Sequence, residues 1–197
     1  DALPISELGH AHTLETRLNV FSTFHPRLEA RHRECPFVFL ANIDPDLQLE
    51  VLDQMKTPRL VVSDTMNYWI ARKPERVVDV LRRVDVALLN EEEARALSGE
   101  TQLAAAADRL IEQGARAVII KKGEHGVIMF TDEGAFAAPA YPLEDVFDPT
   151  GAGDAFAGGF VVQSMVALWL YQRFDLSMAA AGVVFFWTGV LSAASYL

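Results

Sequence analysis

The sequence of 197 residues contains a single cysteine, Cys35, and is poor in basic residues. One cysteine can form neither an intrachain disulfide nor a metal site built from several thiolates, and this suits a reducing compartment such as the cytoplasm. Lysine and arginine total 17 against 27 aspartates and glutamates, which gives a formal charge of -10. Such an acidic surplus disfavours contact with nucleic-acid phosphates, so we expect no nucleic-acid partner.

Several common signals are also missing from the sequence. Residues 1–12 hold no basic segment followed by an apolar run, so no secretory signal is predicted there. Neither the Gly-x-x-x-x-Gly-Lys-Ser/Thr loop nor the Gly-x-Gly-x-x-Gly fingerprint occurs, which removes the main support for P-loop and dinucleotide-binding folds. A third absence is charge in residues 178–197. That stretch is long enough to span a bilayer, but its many small residues favour a buried helix, and we expect no membrane partner.

From residue 37 onward, short apolar runs alternate with amphipathic stretches. This order predicts an α/β fold in which strands and crossover helices build a mostly parallel sheet covered on both faces. The pairs Asp44-Pro45 and Lys73-Pro74 predict two helix starts. The predicted strands are 37–40, 60–63, 86–89 and 117–121, followed by a hairpin formed by 126–131 and 135–138. Before them, the alternation in residues 14–20 suggests an edge or lid strand.

The most informative stretch is residues 148–160, Asp-Pro-Thr-Gly-Ala-Gly-Asp-Ala-Phe-Ala-Gly-Gly-Phe. Gly151, Ala152 and Gly153 precede an apolar run that can form a helix, so unpaired backbone N–H groups would point at a ligand above the helix start. Such a site can hold the negative charge of a transferring phosphoryl group. Asp154 in the first turn could accept the proton of an attacking hydroxyl. The alternative is a tight turn in which this aspartate only begins a helix.

Three further stretches follow predicted strands and carry polar groups. Asn90 and Glu93 supply an amide and a carboxylate, which suit the water shell of Mg²⁺, although an acidic helix start favoured by the helix dipole explains them too. Lys121 or Lys122 could meet a phosphate and Gly123 could let backbone approach a ligand, but a solvated strand end is an equal alternative for the two lysines. Asp64 and Asn67 either face the cleft for the phosphate donor or only form a turn.

Residues 148–160 resemble the C-terminal signature of the ribokinase-like (PfkB-type) carbohydrate and nucleoside kinases. Residues 90–99 are similar to the Asn-x-x-Glu element of that family, and 118–126 to its nucleotide-binding edge. The resemblance extends from about residue 42 to about residue 160. It implies a Rossmann-like three-layer ribokinase fold, an ATP-dependent kinase of a sugar or nucleoside hydroxyl, Asp154 as catalytic base and Gly151, Ala152 and Gly153 as anion hole.

The resemblance also implies which residues bind the cofactors. Asn90 and Glu93 would hold the nucleotide phosphates and, through water, Mg²⁺. Lys121 and Gly123 would lie at the nucleotide edge of the site. Asp148 and Thr150 match positions around a loop that binds a monovalent cation such as K⁺ in some members of the family.

Members of this family are normally longer at the N-terminus, where most groups that hold the sugar lie. The resemblance therefore implies that residues 1–36 are a remnant of the N-terminal and lid region, that 37–197 form the nucleotide-binding and catalytic core, and that the first strands and the lid are incomplete. An uncovered sheet edge would favour self-association, for example as a homodimer. The alternative to an active kinase is a catalytically weak fragment that binds nucleotide or a partner.

Overall fold

The computed structural model of the chain describes residues 23–140, 153 and 155–159. A six-stranded sheet dominates this part, and residues 153 and 155–159 are helical. The strands are β1 (Phe37–Leu40), β2 (Leu60–Asp64), β3 (Val86–Asn90), β4 (Ala117–Lys121), β5 (Val127–Thr131) and β6 (Gly134–Ala138). The helices are α1 (Ala30–Arg33), α2 (Pro45–Gln54), α3 (Asn67–Arg72), α4 (Pro74–Leu81), α5 (Glu91–Ser98) and α6 (Leu103–Glu112), with a short 3₁₀ helix at Gly123–His125.

The sheet has the strand order β1-β2-β3-β4-β5-β6. Strands β1 to β4 run parallel, while β5 and β6 are an antiparallel hairpin joined to β4. The predicted α/β class, the mostly parallel sheet and the hairpin are confirmed. Strands β2 and β3 each extend one residue beyond the prediction, to Asp64 and Asn90.

Both predicted helix starts are present in the structure. The side chain of Asp44 accepts a hydrogen bond of 3.0 Å from the backbone N–H of Asp46, and Pro45 occupies the first turn of α2. Pro74 is likewise the first residue of α4, where the preceding Lys73 makes no side-chain cap. Proline suits these positions because the first N–H groups of a helix have no intrahelical acceptor.

Two apolar clusters lie on opposite faces of the sheet. Alternate residues of a strand point to opposite faces, so Leu89 of β3 packs with helices α2 to α6 whereas Leu88 packs in the second cluster. The second cluster joins Val62, Leu88 and Ile119 to Ala157 of the helical segment 155–159. The central strands are therefore covered on both faces, as their nearly continuous apolar sequences predict.

Some predicted elements lie outside the described residues. These are the alternation in residues 14–20, most of the 148–154 loop and the uncharged stretch 178–197. Within the part of the chain that is described, no helix has both the length and the apolar character needed to cross a membrane.

Leu110 of α6 is fully buried in the larger cluster, so its truncation should destabilise the fold. We expect Leu110→Ala to lower the free energy of unfolding by about 2–5 kcal/mol, because the lost burial is accompanied by a cavity. Leu103→Ala, at the half-buried start of the same helix, is the matched control and should have a smaller effect. Urea unfolding measures both, and equal losses would contradict the assigned packing.

Candidate functional site

Strands β2, β3 and β4 each end in a polar residue at the same edge of the sheet. Asp64 ends β2, Asn90 ends β3 and Lys121 ends β4. The strand register places Asn90 beside Lys121, and Asp64 beside Leu88. In open parallel sheets ligands bind outside the carboxyl ends of the strands, so this edge is the expected position of a site.

Lys121 and Asp64 form an ion pair across the end of β3. The Nζ atom of Lys121 lies 3.1 Å from Oδ1 of Asp64, and the two side chains are 16% and 3% exposed. A solvated strand end, one of the two alternatives for Lys121, is therefore not what the structure shows. Because a buried charge needs its partner close by, the pair fixes the position of the ammonium group.

Gly153, the last residue of the Gly-Ala-Gly sequence, is helical and lies close to the same ammonium group. A Cβ atom built on Gly153 would lie 3.5 Å from Nζ of Lys121. The fold thus brings together a lysine and a glycine that belong to separate predicted elements. Five other predicted site residues lie outside the described residues: Asp148, Thr150, Gly151, Ala152 and Asp154.

Asn90 and Glu93 form a reciprocal cap at the start of α5. The backbone N–H of Asn90 donates to Oε2 of Glu93 at 2.7 Å, and the N–H of Glu93 donates to Oδ1 of Asn90 at 2.8 Å. This capping box satisfies two N–H groups that would otherwise lack acceptors. The helix-start role of both residues is therefore observed, and their role toward a nucleotide or Mg²⁺ stays a prediction.

Glu93 is buried at 5% exposure. Burial disfavours its charged form and raises its pKa from 4.5 to about 7. The hydrogen bond from Asn90 and the positive charge of Lys121 act in the opposite direction, while the negative charges of Asp64 and Glu92 add to the increase. Glu93 therefore belongs to the same electrostatic environment as the Lys121–Asp64 pair.

The few carboxylates at this edge suit Mg²⁺ only if most of its ligands are waters and substrate phosphates. The described residues contain no group of three or more histidine, cysteine, aspartate or glutamate side chains that could hold a metal ion. Mg²⁺ commonly keeps several waters and binds one or two carboxylates together with substrate phosphates. Glu93 fits that mode, since a nearby cation would favour its ionised form.

The loop after β4 is held against the β5–β6 hairpin. The N–H of Lys122 donates to the carbonyl of Gly126 at 2.7 Å, and Gly126 has a φ of 93°. A Cβ atom on Gly126 would lie 2.1 Å from the carbonyl oxygen of Ala138, so only glycine fits. Gly123 also has a positive φ, of 55°, and no described atom lies within 4 Å of where its Cβ would be. Gly123 is exposed among the described residues, and its role toward a nucleotide stays a prediction.

A cleft of about 280 Å³ lies at the ends of β1 and β2 and is lined by Phe39, Ala41, Asn42 and Asp64. Asp64 thus lines a cleft, and its predicted role toward a phosphate donor stays a prediction. Asn67 is instead exposed at the first position of α3.

Two polar residues near this cleft were not singled out from the sequence. Asn42 follows β1 and is exposed at the mouth of the cleft, and nothing in its local pattern marks it. Gln48 is 3% exposed and lies between the buried residues Leu47 and Leu49. A buried amide within an apolar run of a helix was a usable signal for the second residue, because such a group must have partners.

The family profile described as pfkB family carbohydrate kinase matches residues 38–186. The match covers more than half of the chain, and the chain belongs to this family. The resemblance inferred from the sequence motifs is thereby confirmed.

Among individual relatives, the chain is 37% identical over 128 residues to a cytidine kinase of Thermococcus kodakarensis, covering 62% of this chain and 45% of that protein. It is 36% identical over 88 residues to an aminoimidazole riboside kinase of Salmonella typhimurium, covering 45% of this chain and 27% of the relative. The solved structure of aminoimidazole riboside kinase from Salmonella enterica superposes with a TM-score of 0.55 at 28% identity, covering 65% of this chain and 49% of the other. The chain spans less than half the length of each of these relatives.

The raised pKa of Glu93 predicts a stability that depends on pH. A folded-state pKa of about 7, above the ordinary 4.5, means that the protonated carboxyl contributes stability below pH 4.5 and that this contribution is lost as the pH rises through 7. Glu93→Gln keeps an acceptor for Asn90 and carries no charge. We expect this variant to gain stability relative to the unaltered chain between pH 5 and pH 8, by at most about 3 kcal/mol.

The matched control is Glu100→Gln at an exposed position just after α5, which does not contribute to the raised pKa of Glu93 and should retain the pH dependence of the unaltered chain. Urea unfolding at several pH values measures all three proteins. Parallel pH profiles for Glu93→Gln and the unaltered chain would show that burial of Glu93 does not control this dependence.

Proposed function

We propose that this chain is the phosphoryl-transfer part of an ATP-dependent kinase that acts on a hydroxyl of a sugar or nucleoside. The proximity of the Lys121 ammonium to Gly153 is the observation that carries the proposal. A lysine and the N-terminus of a helix both attract anions, and a helix that begins within the Gly-Ala-Gly sequence would bring its N-terminus to this lysine at the carboxyl ends of the strands. Membership of the pfkB carbohydrate kinase family gives independent support.

In this proposal the phosphate donor lies over Lys121 and the helix that begins near Gly153. The ammonium and the backbone N–H groups of Gly151, Ala152 and Gly153 stabilise the negative charge of the transferring group. Asn90, Glu93 and Gly123 border the nucleotide side, and Asp148 with Thr150 would hold a monovalent cation. Mg²⁺, held through water by Glu93, would neutralise charge on the donor phosphates. The solved structure of aminoimidazole riboside kinase from Salmonella enterica in complex with aminoimidazole riboside and an ATP analog supports ATP as the donor.

Asp154 is the proposed catalytic base. It would accept the proton of the acceptor hydroxyl while the hydroxyl oxygen forms a bond to phosphorus and the bond from phosphorus to the leaving nucleoside diphosphate breaks. Its position directly after Gly153 in the sequence supports this role, because the base must reach an oxygen that attacks the phosphorus held at that helix start.

The acceptor would occupy the cleft beside Asp64. That cleft lies on the β1 side of the ion pair, whereas Gly153 lies at Lys121 on the β4 side, so donor and acceptor would meet over the ends of the central strands. Relatives named cytidine kinase and aminoimidazole riboside kinase favour a ribosyl group as the acceptor.

The proposal is tested by incubating the chain with radiolabelled ATP and Mg²⁺ and a panel of nucleosides, ribosides and free sugars. We expect weak transfer of label, confined to one class of acceptor, because most groups that hold the sugar in this family lie in the N-terminal region and small misplacements of the acceptor cost large factors in rate. Binding of ATP without transfer to any acceptor would instead support a nucleotide-binding unit that lacks catalysis. Failure to bind ATP would contradict the proposed site.

Replacing the proposed base should lower the rate of transfer and leave nucleotide binding nearly intact. We expect Asp154→Asn to reduce kcat by roughly 10²-fold or more, because the lost proton acceptor acts in the transition state. Asp132→Asn in the exposed hairpin turn is the matched control and should retain full activity. Near-normal turnover by Asp154→Asn would remove Asp154 from the mechanism.

A branched side chain at Gly153 should damage both ATP binding and turnover. A Cβ alone makes ordinary contact with Lys121 at 3.5 Å, so Gly153→Ala should be mild, whereas the methyl groups of Gly153→Val would press on the ammonium and the phosphate position. Gly158→Val, on the same helical segment, is the control, since no described atom lies within 4 Å of its Cβ position. Titration calorimetry with ATP measures the difference, and equal affinities in the two valine variants would argue against a phosphate at this helix start.

A further inference from the structure

Gln48 of α2 is a buried amide that joins the ends of two strands. Its Nε2 atom donates to the carbonyl of Ala41 at 3.0 Å and to the carbonyl of Asp64 at 3.0 Å. A third contact, to the carbonyl of Leu40, is longer at 3.4 Å. Since the amide nitrogen carries two hydrogens, the two short bonds account for both of them.

The two short bonds lie one residue beyond the last pair that β1 and β2 form with each other. The strand register ends with Leu40 beside Ser63, after which β1 leads toward α2 and β2 leads toward α3. The Gln48 amide bridges the next residue of each strand, Ala41 and Asp64. Both residues line the cleft at this edge, so one side chain from outside the cleft holds two of its walls.

A connected set of contacts leads from this amide to the phosphate position. Gln48 holds the carbonyl of Asp64, and the side-chain Oδ1 of Asp64 accepts bonds of 3.1 Å from the N–H of Thr65 and from Nζ of Lys121. The same Nζ lies against Gly153. A shift of the backbone at Asp64 would therefore displace the carboxylate and loosen the ammonium that depends on it.

We propose that Gln48 is a positioning residue of this site, which acts by holding the backbone of Asp64 so that the carboxylate keeps Lys121 at the helix start. It contacts neither the proposed phosphate nor the proposed acceptor. That this role serves phosphate binding rests on the proposed function. The contacts that lead from Gln48 through Asp64 to Lys121 do not depend on it.

Gln54 offers a matched control on the same helix. Its amide also makes short bonds to two carbonyls, of Pro26 at 2.8 Å and of Glu50 at 2.9 Å, and its Oε1 accepts from the N–H of Leu28. All of these partners lie on α2 or on the segment before α1. Loss of the Gln54 bonds should therefore affect stability without reaching Lys121.

The test compares Gln48→Met with Gln54→Met in the full 197-residue chain. Methionine keeps a similar length and removes the donor amide. The readout is the rate at which Lys121 is acetylated by an N-hydroxysuccinimide ester, followed by peptide mass spectrometry with exposed Lys56 as internal reference. We expect a severalfold faster reaction at Lys121 in Gln48→Met and an unchanged rate in Gln54→Met. Gln48→Asn, with a shorter amide, replaces Gln48→Met if that variant fails to fold.

An unchanged Lys121 rate in the folded Gln48 variant, or an equal increase in both methionine variants, would overturn the positioning role. Addition of ATP tests the proposed function separately. Protection of Lys121 by ATP in the unaltered chain, weakened in Gln48→Met and retained in Gln54→Met, is the expected pattern. Absence of protection in the unaltered chain would count against Lys121 as a phosphate ligand, while the rates measured without ATP would still decide the role of Gln48.

Discussion

The ammonium of Lys121 and the carboxylate of Asp64 face each other over the end of β3, with little access to water. Removing one member of such a buried pair commonly destabilises a protein by about 3–5 kcal/mol, because the remaining charge is left without a partner. The pair can form only if β2, β3 and β4 end at one edge and in one register. It therefore links the relative positions of three strands, of Gly153 and of the cleft beside Asp64.

Strands β1 to β4 were predictable from the sequence because each is a short, nearly continuous apolar run, which suits burial on both faces. The starts of α2 and α4 were predictable because proline restricts the first helical turn in a local way. Asp64 and Lys121 lie 57 residues apart, and no local pattern identifies the two as partners. Their contact depends on the order and register of strands, which are properties of the whole sheet. Gln48 is an intermediate case for prediction. Its position between apolar residues indicates that the amide is buried, but the sequence does not show which carbonyls accept its hydrogen bonds.

The sequence left two roles open for Glu93, a helix-start acid and a group that holds Mg²⁺ through water, and one side chain can fill both. One carboxylate oxygen caps α5, and this role alone explains why an acid follows Asn90 at this spacing. The burial that comes with the cap also places the group near Lys121, and its pKa near neutrality makes its charge sensitive to any ion that binds there. A structural role and a role in ligand binding are therefore compatible at this residue.

The tight contact of Gly126 with Ala138 limits where the sequence of this site can change. Because a side chain at Gly126 would collide with the backbone of the hairpin, this position is closed to the other amino acids, whereas Glu124 and His125 beside it are exposed. The loop thus combines one position that requires glycine with two exposed positions beside it. Substitutions have room at these two positions while Gly126 keeps the loop against the hairpin.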